Sequence, residues 1–381
     1  MNVSDLTRTE TNRGLLNAAD IDWTGFLNRP LFSSSGISLK DSAKNRTILI
    51  TGAGGSIGSA LARRLIDEPR VSLVLLDNSE RRLGALYRAY QARNRTESKV
   101  RFVQADISAE TELRCIFAAS RPHIVFHAAA MKHLVPLESD PFNALEANLV
   151  GSLRLFECAI DWRVPLFVNV STDKAVNPTS VLGVSKRISE LLLLAADPSA
   201  SSAVSVRFGN VLGSSGSVVP LFIDSIRGRQ LLQITDPDAA RYFITLDEVV
   251  DVLLNCLEIP PGSLLLPDMG CERKIVDLGD FLMRLFSAET GIRYVGLQDG
   301  EKRHEQLTYD YEYLERTNVQ RLSGILGNRF DRHTFYEKLS CLLHFIHDRR
   351  AAGLLETLSA IVPEFTPSAT LLRSVRPLRE V

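Results

Sequence analysis

A run of aliphatic and β-branched residues at 47–50 leads into Thr51-Gly52-Ala53-Gly54-Gly55-Ser56-Ile57-Gly58, and a helical pattern follows at 59–67. Few architectures accept this order. A strand that feeds a glycine turn and then a helix belongs to a parallel sheet, where the helix packs back on the strand it left. Gly52 permits the tight turn, Gly55 lets backbone approach a pyrophosphate, and Gly58 lets the helix lie close. The helix start, with Ser56 and Ile57, turns free amides toward phosphate. Nineteen residues past Gly58, Asp77 is placed to accept from the hydroxyls of an adenosine ribose. A carboxylate there repels a 2′-phosphate, so NAD is favoured over NADP, with Arg81 and Arg82 close enough to temper the choice.

Further short apolar runs at 71–76, 100–104, 124–126, 166–170 and 204–208 read as strands buried on both faces. Helical stretches at 109–119, 144–159 and 184–195 separate the later ones. The alternation predicts an α/β fold, a doubly wound parallel sheet with right-handed crossovers, carrying a smaller mixed substrate-binding lobe. The expected divisions are an N-terminal arm over 1–45, a dinucleotide-binding domain over 46–210, the lobe over 211–330, and a C-terminal helical extension over 331–381. Within the lobe, 241–258 is expected to return to the first domain. Asp106 and Ile107 close the third strand and are expected near adenine. Ala128, Ala129 and Ala130 close the fourth, small enough for cofactor to pass.

Formal net charge is −1 over 381 residues, with no basic cluster, so nucleic acid is not an expected partner. The first ten residues are polar, and the longest aliphatic run, 191–196, is too short to span a bilayer. A cytoplasmic, homo-oligomeric protein with no membrane span is expected. Five scattered cysteines without a Cys-x-x-Cys pair read as reduced core residues. The histidines show no ligand grouping, and no metal is expected. His127 reads as a packed strand-end residue, and the role of His133 stays open.

Residues 171–186 read Ser-Thr-Asp-Lys-Ala-Val-Asn-Pro-Thr-Ser-Val-Leu-Gly-Val-Ser-Lys. With the stretches 51–59, 75–80, 127–138, 148–151, 207–220, 241–245 and 300–307, this segment resembles the extended short-chain dehydrogenase/reductases. Within them it is similar to the bacterial polysaccharide-biosynthesis UDP-N-acetylglucosamine 4,6-dehydratases. The usual tyrosine of that helix, four residues before Lys186, is here Leu182, which can take no proton. The chain thus resembles the catalytic domain of the membrane-anchored type, without its membrane helices.

The resemblance implies a Rossmann fold, NAD, a UDP-sugar substrate, and oxidation at C4 followed by loss of water across C5 and C6. It implies that Thr172 bonds the C4 oxygen, that Asp173 is the acid for the 6-hydroxyl, and that Glu138 assists. Lys174 is the expected base at C5, provided that burial and nearby positive charge lower its pKa. Lys186 would hold the nicotinamide ribose. Lys132, Asn210, Ser217, Val218 and Arg241 would bind substrate, and Glu301 the uridine ribose. Gln298 stands where an arginine is usual, and Asp299 beside it adds negative charge. A nucleotide-sugar 4-epimerase, or an NAD-binding scaffold disabled by Leu182 and Gln298, are the other readings the sequence allows.

Overall fold

The computed structural model describes residues 18–32, 45–68, 71–92, 99–197, 202–328 and 330–375. Most of the expected arm, and the last six residues of the expected C-terminal extension, lie outside these. Six parallel strands form the framework: β1 Thr47–Thr51, β2 Ser72–Asp77, β3 Lys99–Gln104, β4 Ile124–His127, β5 Leu166–Thr172 and β6 Ala203–Phe208. Later chain then extends the sheet with β7 Ser263–Pro267, β8 Tyr313–Arg316 and β9 Leu322–Leu326, giving the order β8-β9-β7-β6-β5-β4-β1-β2-β3. Strand β7 is parallel to β6, while β8 and β9 are antiparallel. The doubly wound fold is as expected. The lobe boundary is not, because β7 to β9, expected in a separate lobe, complete the main sheet.

The helices are α1 Ser56–Ile66, α2 Glu80–Gln91, α3 Glu110–Ser120, α4 Gly151–Asp161, α5 Val181–Ala195, α6 Val218–Arg227, α7 Leu246–Asn255, α8 Ile275–Leu285, α9 Arg332–His347, α10 Leu354–Ile361 and α11 Ala369–Ser374. One face of the sheet is covered by α3, α4, α5 and the C-terminal helices, through Phe117, Phe156, Ile188, Leu339 and Leu358. The other is covered by α1, α2 and α7, through Leu61, Leu65, Leu83, Val249 and Leu253. A third cluster makes the lobe, where Phe26 packs edge-on against Phe243, beside Phe222 and Leu278. Burial on both faces explains why the central strands read as unbroken apolar runs.

The long helix expected over 144–159 is interrupted. Residues Pro141–Leu145 form one turn, Glu146–Val150 a π turn, and only then does α4 begin. In that π turn the Asn148 amide donates to the Met131 carbonyl at 2.9 Å and accepts the Met131 N–H at 2.8 Å. The extra residue in the turn aims this side chain at the loop after β4, a use typical of π bulges. Cys158 and Cys256 are buried, whereas Cys115, Cys271 and Cys341 are exposed rather than in the core. No helix of the described residues is long and apolar enough to cross a membrane.

Candidate active site

The glycine turn after β1 is as tight as its spacing implies. Gly52 has φ +66°, and a Cβ on it would lie 2.7 Å from the Ala129 backbone. A Cβ on Gly58 would lie 2.2 Å from the Gly52 carbonyl. Gly55 caps α1 without a side chain, so the helix start beside Ser56 and Ile57 is open toward the sheet edge. Such a cradle fits a pyrophosphate. Asp77, buried at the end of β2, accepts the Gly54 N–H at 2.9 Å and pairs with Arg82 at 3.0 Å. The arginine close in sequence therefore lies on the carboxylate itself. Asp106 accepts from the Ser108 amide and hydroxyl and from Asn78; burial pushes its pKa up, but those bonds outweigh it and hold the carboxyl low. Ile107 is buried against Gly151.

At the end of β5 three polar residues meet, Asp173 buried and Thr172 and Lys174 half-buried. The Asp173 carboxylate is completely buried, and its Oδ1 accepts from Thr172 Oγ1 and Lys174 Nζ, both at 3.0 Å. Its other oxygen, Oδ2, is buried with no partner among the described residues. Lys174 Nζ also donates to Asn210 Oδ1 at 3.1 Å and lies 3.5 Å from Glu305 Oε1. Burial raises the Asp173 pKa, aided by the charge of Glu305, against the pull of Lys174. A carboxyl so placed can hold and deliver a proton.

Lys174 departs from the expectation. Burial alone would lower its pKa, but the carboxylates of Asp173 and Glu305 outweigh both that and the opposing charge of Arg241, and the ammonium is favoured. The condition set for a ready C5 base is not met, because the charge of Asp173, and after it that of Glu305, favours the ammonium.

Helix α5 comes close to this cluster because residue 183 is glycine: a Cβ there would lie 2.3 Å from the Lys174 carbonyl. Leu182 is buried beside it, and Lys186, four residues on, donates from Nζ to the Val170 carbonyl at 2.9 Å. Burial brings Lys186 down to about 8, with Glu190 opposing. His127 is packed as expected, its ring nitrogens 2.8 Å from Thr51 Oγ1 and Ser152 Oγ. Burial, then the charge of Lys186, keeps it neutral.

Glu138 was expected in the chemistry, and its contacts say otherwise. One oxygen accepts the Val181 N–H at 2.6 Å, capping α5, and the other accepts from Ser368 Oγ at 2.6 Å. Both are spent on joining α5 to the C-terminal segment. Asp299, expected to add negative charge beside Gln298, is held by Thr370 and Arg373 of α11.

On the substrate side, Lys132 reaches Ser214 Oγ at 3.4 Å, its pKa lowered by burial, and the Ser215 N–H donates to Ser56 Oγ at 2.9 Å. The glycine turn and the 213–217 loop are thus in contact. Ser217 caps α6 ahead of Val218, and its hydroxyl is buried without a partner among the described residues. Gly216 lies against the His133 ring. Arg241 and Glu301 come together, but as a pair 2.7 Å apart. Glu301 also accepts from Thr235 and from the Gln298 N–H, so the expected ribose contact competes with three existing ones. Arg241 likewise spends part of its charge before any phosphate arrives.

Sequence reasoning missed Glu305 and the layer beneath the loop. Tyr309 donates to the Ala175 carbonyl at 2.8 Å, and Lys302 to the Val176 carbonyl at 2.7 Å. Ser171 donates to Glu190, which pairs with the fully buried Arg207, itself paired with Glu312. The signal was thin: Glu305 lies 131 positions after Lys174, in a stretch matched only as a block.

A model of the family described as polysaccharide biosynthesis protein matches residues 48–326. The capsular polysaccharide biosynthesis protein CapD of Staphylococcus aureus is 39% identical over 272 residues, 69% of this chain and 45% of that protein. The chain thus spans less than half of that relative's length. A UDP-glucose 4-epimerase of Rickettsia rickettsii is 31% identical over 319 residues, 82% of this chain and 90% of that protein. Among solved structures, Pen from Bacillus thuringiensis aligns with a TM-score of 0.66 at 27% identity, covering 76% of this chain and 90% of that one. With the family's model running from β1 to β9, the chain belongs to the polysaccharide biosynthesis protein family.

Proposed function

We propose that the protein is an NAD-dependent nucleotide-sugar 4,6-dehydratase. Its substrate in this reading is UDP-N-acetylglucosamine, and its product a UDP-2-acetamido-2,6-dideoxy-4-hexulose for polysaccharide or glycan synthesis. The observation that carries the reading is Asp173, a wholly buried carboxylate with one oxygen tied to Thr172 and Lys174 and the other without a partner among the described residues. Moving a proton at O4 requires one such group. Expelling water across C5 and C6 requires an acid and a base side by side, which is what Asp173 and Lys174 offer.

The glycine turn, Asp77, Asp106, Ile107, Ala128, Ala129 and Lys186 would hold NAD, which supplies an acceptor for the C4 hydride and its return at C6. Thr172 Oγ1 bonds O4 and passes its proton to Asp173. Asp173 then gives that proton to the departing 6-hydroxyl, which leaves as water. Lys174 takes the C5 proton in its neutral form, and the resulting ammonium, partly exposed and exchanging with solvent, protonates C5 as the hydride returns to C6. Burial shields the Asp173 carboxyl from solvent while it holds the O4 proton. Lys132, Asn210, Ser217 and Val218 would face the diphosphate.

Asp173→Asn and Lys174→Met are each expected to lower formation of the keto sugar by at least ~10³-fold while NAD still binds. Retention of more than a tenth of the wild-type rate in both would sink the assignment. The match to most of a Rickettsia protein named a UDP-glucose 4-epimerase favours a second reading, 4-epimerisation. A product that keeps its 6-hydroxyl would decide for it.

A further inference from the structure

Lys174 sits among three acceptors on three parts of the chain: Asp173 Oδ1 beside it, Asn210 Oδ1 after β6, and Glu305 Oε1 near the end of the lobe. An ammonium has three protons; two are hydrogen-bonded here, to Asp173 and Asn210, and Glu305 adds an ion-pair contact at 3.5 Å. Glu305 is buried, and its other oxygen, Oε2, lies 3.2 Å from Lys302 Nζ without an aligned hydrogen bond. Lys302 in turn donates to the carbonyl of Val176, two residues beyond Lys174. One carboxylate from the lobe therefore touches both the ammonium and the lysine that fastens the loop carrying it.

We propose that Glu305 is a positioning residue for the Asp173–Lys174 pair: it holds Lys174 protonated in its three-acceptor seat and ties that seat to the lobe through Lys302. The inference rests on the function proposed above, and it concerns a residue that acts through another. The groups facing this cluster are Asp173, Lys174, Lys302 and Arg241, with the Tyr242 phenol in the field of Asp173. In this set Glu305 balances Lys174 and Lys302, which leaves Asp173 as the carboxyl able to exchange its proton. The direction of its own shift agrees: burial raises it, but the two lysines and Arg241 outweigh burial and keep it ionised.

The sign of the test follows from charge. Glu305→Gln removes a negative charge, which makes the Lys174 ammonium and the protonated Asp173 carboxyl both easier to deprotonate. Lys302→Met removes a positive charge, which does the reverse. Measured on full-length protein with NAD and UDP-N-acetylglucosamine, the kcat–pH profile of Glu305→Gln is expected to move down by about one pH unit. That of Lys302→Met should move up by a similar amount. KM should change less than about threefold in either, and Glu305→Asp should restore most of the wild-type profile.

Opposite displacements are a signature that loosened packing would not produce. Should Glu305→Gln fail to fold, the upward displacement in Lys302→Met carries the test. An active wild type whose profile is unmoved in the folded variants, or moved the same way in both, overturns the role of Glu305 alone. A wild type that binds NAD but neither dehydrates nor epimerises any UDP-sugar overturns the functional reading, and this role with it.

Discussion

Leu182 reads first as a defect, since it occupies the place of a proton-transferring tyrosine. At the strand end beside it, a buried Asp173 has one oxygen bound and one without a partner among the described residues. The tripeptide Thr172-Asp173-Lys174 was legible through the resemblance of the segment 171–186 to the family's, since three such polar residues in a row ordinarily make a solvated turn. The charge state of Lys174 was not fully legible, because Glu305, brought in by the fold from far along the chain, adds to the pull of the adjacent Asp173. Glu138 failed for a related reason: in sequence a carboxylate looks the same whether it caps a helix or transfers a proton. Lys186 offers a test of burial itself. Its folded pKa of about 8 lies below the ordinary 10.5. Below pH 8 both folded and unfolded chains hold the proton, and burial of the charge costs stability in full. Between these values the unfolded chain binds more protons, so stability rises with pH. Urea unfolding of wild type is expected to show about 2 kcal/mol more gain than Lys186→Met between about pH 7.5 and about pH 9.5. Equal slopes would mean that Lys186 is more solvated than its burial implies.

Among elements, β1 with its glycine turn and α1 was the most legible, since backbone geometry there leaves only glycine. At Gly58 even a methyl group would meet the Gly52 carbonyl at 2.2 Å. Gly58→Ala is therefore expected to weaken NAD binding by at least ~10-fold in titration calorimetry. A lesser loss would show that α1 can shift without disturbing the cradle. Helix α5 is positioned by the same device, with Gly183 pressed on Lys174 and Glu138 capping its start. The break before α4 was not legible. A π turn keeps the apolar period of a helix almost unchanged, so Asn148 looks like any helical residue until its bonds to Met131 are seen. The contacts of α11 were equally hidden, because Thr370 and Arg373 act through a residue some seventy positions earlier.

Across the whole molecule, the lobe and the sheet are joined more closely than the expected division at 210/211 implies. Strands β7 to β9 return to the sheet, and the buried set Glu190, Arg207 and Glu312 ties α5 and β6 to the segment ahead of β8. Tyr309 and Lys302 reach from that segment to the loop that carries Asp173 and Lys174. The loop is thus held through Ser171 by Glu190 of α5 and through Ala175 and Val176 by the 302–309 segment, the kind of support that the proposed acid–base chemistry would need. The central claim is that this loop dehydrates a nucleotide sugar. Incubating the protein with NAD and UDP-N-acetylglucosamine in heavy water, with the product read by mass and proton spectra, tests it most directly. The account expects loss of one water, a new methyl at C6 and one deuterium at C5. A product of unchanged mass formula that keeps its 6-hydroxyl, or substrate recovered intact, would contradict it.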